Sequence, residues 1–100
     1  EMQRRAFEIQ VAAYAAADQP GPQHRLHPPA IERLEDVRAP ALVIVGDADV
    51  PDVLERAEIL ASRIPGARKV VLPDVAHMVN LEQPEEFLAL VEDFLADAAR

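Results

Sequence analysis

The sequence has no cysteine and no tryptophan, only one serine, Ser62, and 4% aromatic residues. Without cysteine the chain cannot form a disulfide scaffold, a thiolate metal site or a cysteine nucleophile. The lack of cysteine also fits a reducing compartment, so we expect a cytoplasmic protein. Half of the residues are apolar, which predicts a small core built from leucine, valine, isoleucine and alanine.

Positive charge is also scarce. The chain carries 10 basic and 18 acidic residues, for a formal net charge of −8. Nucleic-acid binding requires a basic face that meets the phosphates, so we expect no nucleic-acid partner. No apolar run reaches the roughly 20 residues of a membrane-spanning helix, and the first residues lack the apolar core of a signal peptide, so we expect no membrane partner.

Two short apolar segments flank an amphipathic segment in the second half of the chain. Residues 41–45 are apolar without alternation, which is typical of a parallel strand covered on both faces. Residues 53–64 carry one apolar stripe at helical spacing and end at Pro65-Gly66. Residues 68–72 predict the second strand. The order strand, helix, strand predicts an α/β unit with a right-handed crossover.

Helices are predicted on both sides of this unit. Residues 2–17 contain good helix formers and no glycine or proline, which predicts a helix that ends before a loop over residues 18–29. A short helical turn is expected around Ala30–Leu34. Pro84, followed by two glutamates, opens a C-terminal helix with an apolar stripe that we expect to be buried.

The predicted sheet is too small to stand alone. A two-stranded sheet is marginal in water, and purely parallel sheets carry helices on both faces. We therefore expect residues 41–45 to have an edge that accepts another strand, from the same protein, a second copy or a partner chain. Because the chain begins at Glu1 rather than methionine, we expect a fragment or a processed product, equivalent to the C-terminal part of a larger sheet.

An acid and a histidine follow the two predicted strands. Asp49 comes just after residues 41–45, and His77 comes just after residues 68–72. Because the carboxyl ends of parallel strands meet at one edge of a sheet, we expect these side chains to touch. Such a pair is two thirds of a Ser-His-Asp catalytic apparatus. No Gly-x-Ser-x-Gly turn occurs in the sequence, so the nucleophile is missing.

Several neighbouring acids have alternative roles. Asp47 competes with Asp49 for the histidine, since both lie at the same strand end; otherwise it bonds nearby backbone amides in the turn. Asp52 is predicted as the N-cap of the helix over residues 53–64. Glu82, just before the C-terminal helix, is expected to make a structural hydrogen bond.

His24 and His27 form a second candidate pair, spaced three residues apart in a proline-rich loop. Imidazoles at this spacing can bind a metal. No third ligand is evident in the sequence around them. We therefore expect no metal site there and no cofactor.

Three phrases occur in order and at characteristic gaps, and they read LEDVRAPALVIVGDAD over residues 34–49, IPGA over residues 64–67 and LPDVAHMVNLEQPEEF over residues 72–87. Together they make residues 28–97 resemble the C-terminal end of α/β-hydrolase fold enzymes. The resemblance implies that residues 28–100 are the C-terminal part of an α/β-hydrolase core, with its parallel sheet. Residues 1–27 would then be the end of a helical cap and a linker.

The resemblance also implies a chemistry. The family's triad runs Ser, acid, His along the chain; Asp49 matches the acid and His77 matches the base. The serine belongs to a turn upstream of residue 1, and an aspartate at that place would mean dehalogenase or epoxide chemistry instead. The family often has glycine immediately before the histidine, whereas this chain has Ala76, which serves if its backbone avoids positive φ.

The function that the resemblance implies is that of a serine hydrolase acting on a small carboxylic ester or lactone, without a cofactor. Met78 and Val79, beside the histidine, are candidates for the substrate pocket, although core packing is an equal alternative. Because the nucleophile is missing, we expect this chain by itself to be inactive. The alternative function is a non-catalytic α/β module that pairs with another chain or completes a larger sheet.

Overall fold

A computed structural model of the protein describes residues 2–17, 22 and 24–100. The elements in chain order are α1 (Met2–Ala17), a 3-10 segment (Ala30–Asp36), β1 (Leu42–Gly46), α2 (Pro51–Arg63), β2 (Arg68–Leu72), α3 (Val79–Glu82) and α4 (Pro84–Ala98). The predicted α/β order of strand, helix, strand and helix is confirmed, and only α3 was not predicted. Part of the predicted loop over residues 18–29 lies outside the described residues.

β1 and β2 form a parallel two-stranded sheet. The register pairs Leu42 with Arg68 at one end and Gly46 with Leu72 at the other. β1 begins one residue later than predicted, and β2 has the predicted bounds. Since the two strands are parallel and in register, the residues that follow Gly46 and Leu72 leave the sheet side by side.

The crossover helix α2 starts earlier than the sequence pattern indicated. Pro51 occupies its first turn, where a missing N–H has no consequence, and Val50 is the N-cap without a side-chain capping bond. The prediction that Asp52 caps this helix is therefore wrong. Asp52 lies inside the first turn, where its carboxylate faces the positive end of the helix dipole.

The buried core is small and lies where α2 and the 3-10 segment cover the sheet. Its members share an exposed fraction below one tenth and are Leu34, Val45, Ala57, Ile64, Leu72 and Val75. Val75 is as buried as Leu72, although it lies in the loop after β2 rather than in a strand. This loop is thus part of the core, and the side chains it carries are held by packing as well as by hydrogen bonds.

The predicted burial of the α4 stripe is wrong, because no residue of α4 is buried. Leu88 and Leu95 are 56% and 58% exposed. Between β1 and α4 runs an apolar groove of about 410 Å³, lined by Leu42, Ile44, Val79, Phe87, Val91, Phe94 and Leu95. A sheet of two strands is too narrow to cover the helix, so the stripe stays open on the side of β1.

In the described part of the chain, no helix is long and apolar enough to span a bilayer.

Candidate active site

The turn after β1 carries Asp49 toward the neighbouring loop. The Asp49 N–H donates to the Gly46 carbonyl at 3.1 Å, which closes a tight turn at the end of the strand. The Ala48 N–H donates to the Val75 carbonyl at 2.9 Å, so the same turn is tied to the loop after β2. This bond brings the two loops together one residue before Asp49.

Gly46 allows this close approach. A Cβ atom on Gly46 would lie 2.0 Å from the Val75 carbonyl oxygen and 2.4 Å from the Ala76 carbonyl oxygen. Neither distance is possible for a real Cβ atom, and both obstacles are backbone atoms that cannot rotate away. The glycine at the end of β1 is therefore required for the loop that carries His77 to cross over the strand end.

Asp47 anchors the other side of the crossing. Its Oδ1 accepts the Asp74 N–H at 2.8 Å, and Asp74 has a positive φ of 59°. Asp47 therefore bonds a backbone amide, as its alternative role predicted. That amide belongs to the loop after β2 and not to its own turn.

Asp49 and His77 are in direct contact. The Nδ1 atom of His77 lies 2.9 Å from Oδ2 of Asp49, and the second oxygen, Oδ1, accepts the Val50 N–H at 2.7 Å. Each carboxylate oxygen therefore has its own donor. The sequence-based expectation that the two side chains meet at the sheet edge agrees with this geometry.

The electrostatics assign the proton positions in the pair. The hydrogen bond from His77 lowers the pKa of Asp49, and the Val50 amide lowers it further, while partial burial of the carboxyl opposes them. Asp49 is therefore ionised at neutral pH and can only accept hydrogen bonds. It follows that Nδ1 of His77 carries a hydrogen. In the neutral imidazole, Nε2 then has a free lone pair.

The one serine of this sequence, Ser62, lies away from the Asp49–His77 pair. Ser62 is eleven residues after Pro51, near the far end of α2, and at 1.5 Å per residue this is roughly 16 Å along the helix. Its hydroxyl donates to the Ile59 carbonyl at 3.2 Å. Ser62 is therefore a helix-surface residue and does not complete the pair.

A comparison with known protein families identifies the family of this chain. The model of the alpha/beta hydrolase family matches residues 1–90. The chain belongs to the alpha/beta hydrolase family. Its two-stranded sheet with helices is a partial alpha/beta hydrolase domain, as the sequence predicted.

Individual members of the alpha/beta hydrolase family are similar over most of the chain. A pimeloyl-[acyl-carrier protein] methyl ester esterase of Aromatoleum aromaticum is 42% identical over 60% of this chain and 24% of its own length. The structure of a proline iminopeptidase of Mycobacterium smegmatis shares 40% identity with a TM-score of 0.61, over 70% of this chain and 23% of its own.

The structure of Est816, an N-acyl homoserine lactone degrading enzyme, shares 39% identity with a TM-score of 0.60, over 64% of this chain and 25% of its own. The matched parts thus span about a quarter of the length of each of these three proteins.

The departure from the usual hydrolase glycine before the histidine has no backbone cost. Among the described residues, the one non-glycine residue with a positive φ is Asp74. Ala76 therefore does not have the conformation that would demand glycine. Ala76 avoids positive φ, which was the condition for alanine to replace glycine at this position.

Met78 and Val79, the predicted pocket residues, lie at the start of α3 and are half-buried. Val79 lines the apolar groove between β1 and α4. That position fits packing against a further strand as well as contact with a substrate. Their substrate-binding role stays a prediction.

Glu82 has a larger part in the site than the sequence indicated. Its Oε1 accepts the Ala76 N–H at 3.0 Å and its Oε2 accepts the Met78 N–H at 3.2 Å. The predicted structural hydrogen bond is confirmed, and Glu82 accepts two such bonds instead of one. The sequence signal for it was the four-residue spacing from Met78 to Glu82, which approaches that of a capping box.

The histidine pair in the proline-rich loop lies at the surface. His24 and His27 are exposed. Across residues 2–17, 22 and 24–100, no three His, Cys, Asp or Glu side chains are grouped so as to hold a metal ion.

Proposed function

We propose that this chain supplies the acid, Asp49, and the base, His77, of a Ser-His-Asp hydrolase that acts on a small carboxylic ester or lactone. The observation that carries the proposal is the 2.9 Å contact between His77 Nδ1 and Asp49 Oδ2. The substrate class is supported by the relatives, which include a methyl ester esterase and a lactone degrading enzyme. The iminopeptidase relative makes a prolyl amide the alternative substrate.

In this mechanism Nε2 of His77 takes the proton of a serine hydroxyl while the serine oxygen bonds to the acyl carbon. The protonated imidazole then gives this proton to the departing alcohol oxygen as the carbon–oxygen bond breaks. A water molecule releases the acyl group by the same two proton transfers. Asp49 holds the imidazole by Nδ1 throughout and stabilises its protonated form.

The proposal assigns the nucleophile to a segment outside these 100 residues, since the distance along α2 rules out Ser62. It assigns residues 28–100 to the C-terminal part of the hydrolase core and residues 1–27 to the end of a cap and a linker. A cytoplasmic location belongs to the same proposal and is supported by the absence of cysteine.

The decisive experiment is His77→Ala in the hydrolase that contains both this chain and its nucleophile. With a p-nitrophenyl ester we expect kcat to fall by roughly 100- to 10,000-fold, the usual contribution of general acid–base catalysis. His27→Ala, an exposed histidine outside the site, is the matched control and should keep full turnover. Unchanged turnover in His77→Ala would overturn the assignment.

Substrate class is tested by turning the same enzyme on an ester, a lactone and a prolyl amide. We expect a higher kcat/KM for one of the first two than for the amide. A preference for the amide would replace the proposed class. The 100-residue chain alone should show no hydrolysis that depends on His77.

The open side of the sheet favours a second candidate function, a module that completes its sheet with another strand. Leu42 and Ile44 line the groove of about 410 Å³ beside α4, and the exposed Leu88 adds apolar surface. Exposed apolar surface and a free strand edge both favour association. Light scattering of the isolated chain should therefore show self-association, and a well-behaved monomer would count against this candidate.

A further inference from the structure

A single carboxylate holds the backbone on both sides of His77. The Ala76 N–H and the Met78 N–H, one residue before and one residue after the histidine, both donate to Glu82, at 3.0 and 3.2 Å. Both bonds are partly buried, so water competes with them less than with a surface contact. His77 is thus the residue at the centre of a two-point clamp.

We propose that Glu82 is a positioning residue for His77. By fixing the two amides that flank His77, Glu82 directs the imidazole toward Asp49. The proposal rests on the proposed function, in which His77 is the general base. It assigns to Glu82 no contact with the substrate and no proton transfer.

A helix cap alone does not explain the geometry. In a capping box, a glutamate at the third helical position reaches back to the N-cap N–H. Here the N-cap of α3 is Met78 and Glu82 lies one position later. The bond to Met78 therefore resembles a cap, but the bond to Ala76 reaches a residue two positions before the N-cap. That second bond restrains the loop itself.

The histidine needs such a restraint because its side chain has little packing of its own. The imidazole is 66% exposed, and within the described chain its ring makes one hydrogen bond, to Asp49. A ring with so few contacts depends for its position on the bond to Asp49 and on the backbone that carries it. Two anchored amides restrict that backbone, so the Cα–Cβ bond of His77 keeps its direction toward Asp49.

The test reads the histidine directly in the full 100-residue chain by long-range ¹⁵N NMR of the imidazole nitrogens. His77→Gln assigns the signals against those of His24 and His27. In the wild type we expect the neutral ring to carry its hydrogen on Nδ1. In Glu82→Gln only one side-chain oxygen remains to accept the two amide N–H groups. The NH₂ group that replaces the other oxygen cannot accept a hydrogen bond from an N–H. Glu82→Ala removes both acceptors.

In Glu82→Gln we expect the ratio of the Nε2–H to the Nδ1–H form to rise about five-fold, the effect of losing one hydrogen bond of ordinary strength. Amide exchange at Ala76 and Met78 should become faster. Glu82→Ala should show a larger rise, and if it does not fold, Glu82→Gln still decides. Glu92→Gln, the same change on the exposed side of α4, should match the wild type.

The result that would overturn the proposal is a folded Glu82→Gln chain with faster exchange at the two amides and an unchanged His77 ring. Glu82 would then be a structural residue only. In the active hydrolase, a positioning role lowers kcat on the order of 10- to 100-fold with KM little changed. Failure of the proposed function would appear separately, as full turnover in His77→Ala, while the ring measurement would still test the clamp.

Discussion

The side chain of Asp49 is 5% exposed, whereas that of His77, its partner at 2.9 Å, is 66% exposed. The acid is enclosed and held by two donors, and the base projects from it toward solvent. This asymmetry suits a pair in which one member keeps a fixed charge and the other exchanges a proton. It also places the free Nε2 atom where a third group can approach.

The first prediction concerns Asp49→Asn. Asparagine has one oxygen for two donors, the Val50 N–H and the His77 Nδ1–H, so one of these bonds must be lost. We expect kcat of the assembled hydrolase to fall by roughly 10,000-fold, as for an incorrectly held catalytic histidine. Asp47→Asn keeps the single oxygen that Asp74 uses, and we expect a loss below about ten-fold. The opposite order would make Asp47 the acid.

A second prediction concerns the strand end. Gly46→Ala places a methyl group against two backbone carbonyls, and we expect it to cost about 3 kcal/mol or more of unfolding free energy. Gly66→Ala is the matched control, because nothing lies within 4 Å of its added Cβ and only its φ of 72° is unfavourable. That variant should cost about 1 kcal/mol. Urea unfolding of both variants compares them, and equal losses would contradict the close approach.

A third prediction tests whether the loop after β2 belongs to the core. Val75 is 1% exposed and Val71 is 44% exposed. We expect Val75→Ala to lower the unfolding free energy by about 2 kcal/mol, and Val71→Ala to lower it by well under 1 kcal/mol. If thermal unfolding ranks the strand residue above the loop residue, the loop does not pack as described.

A fourth prediction concerns acid stability. Arg63 makes a two-bond contact with Glu35, at 2.8 and 2.9 Å, which joins α2 to the 3-10 segment. The Arg63 hydrogen bonds lower the pKa of Glu35 from its ordinary 4.5 to about 2. Because the folded pKa is the lower one, the unfolded state binds the proton more readily. The contribution is therefore full above about pH 5 and is lost as the pH falls toward 2.

Unfolding of wild type and Glu35→Gln over this pH range measures the effect. The wild type should be the more stable protein near neutral pH, and the difference should shrink as the solution is acidified. The effect is small because both side chains contact solvent. A difference that stays constant from pH 6 to pH 2 would show that the ion pair does not form in solution.

Much of the fold could be predicted because the apolar segments that form β1, α2 and β2 are separated by glycine and proline residues. The unbroken run in β1 indicated a parallel strand, and Pro65-Gly66 marked the end of the crossover. The meeting of Asp49 with His77 followed from a general property, namely that parallel strands in register end at the same edge. Their catalytic role remains a proposal.

The supports of the site were less predictable because they depend on contacts between loops. Val75 becomes buried, and Glu82 accepts its two hydrogen bonds, only once the loop crosses above Gly46. Asp52 was misplaced for a local reason, since a proline at the first helical position moved the start of α2 back. Patterns within one segment give no information about such crossings.

The acid, the histidine, the glycine and the glutamate all lie on one uninterrupted stretch from Gly46 to Glu82. A segment exchange between this chain and another member of the family would therefore move the pair together with its scaffold in a single transplant. Met78 and Val79, the candidate pocket residues, lie in the same stretch and would move with it. The proposed acid and base would therefore be transferred together with the groups that hold them.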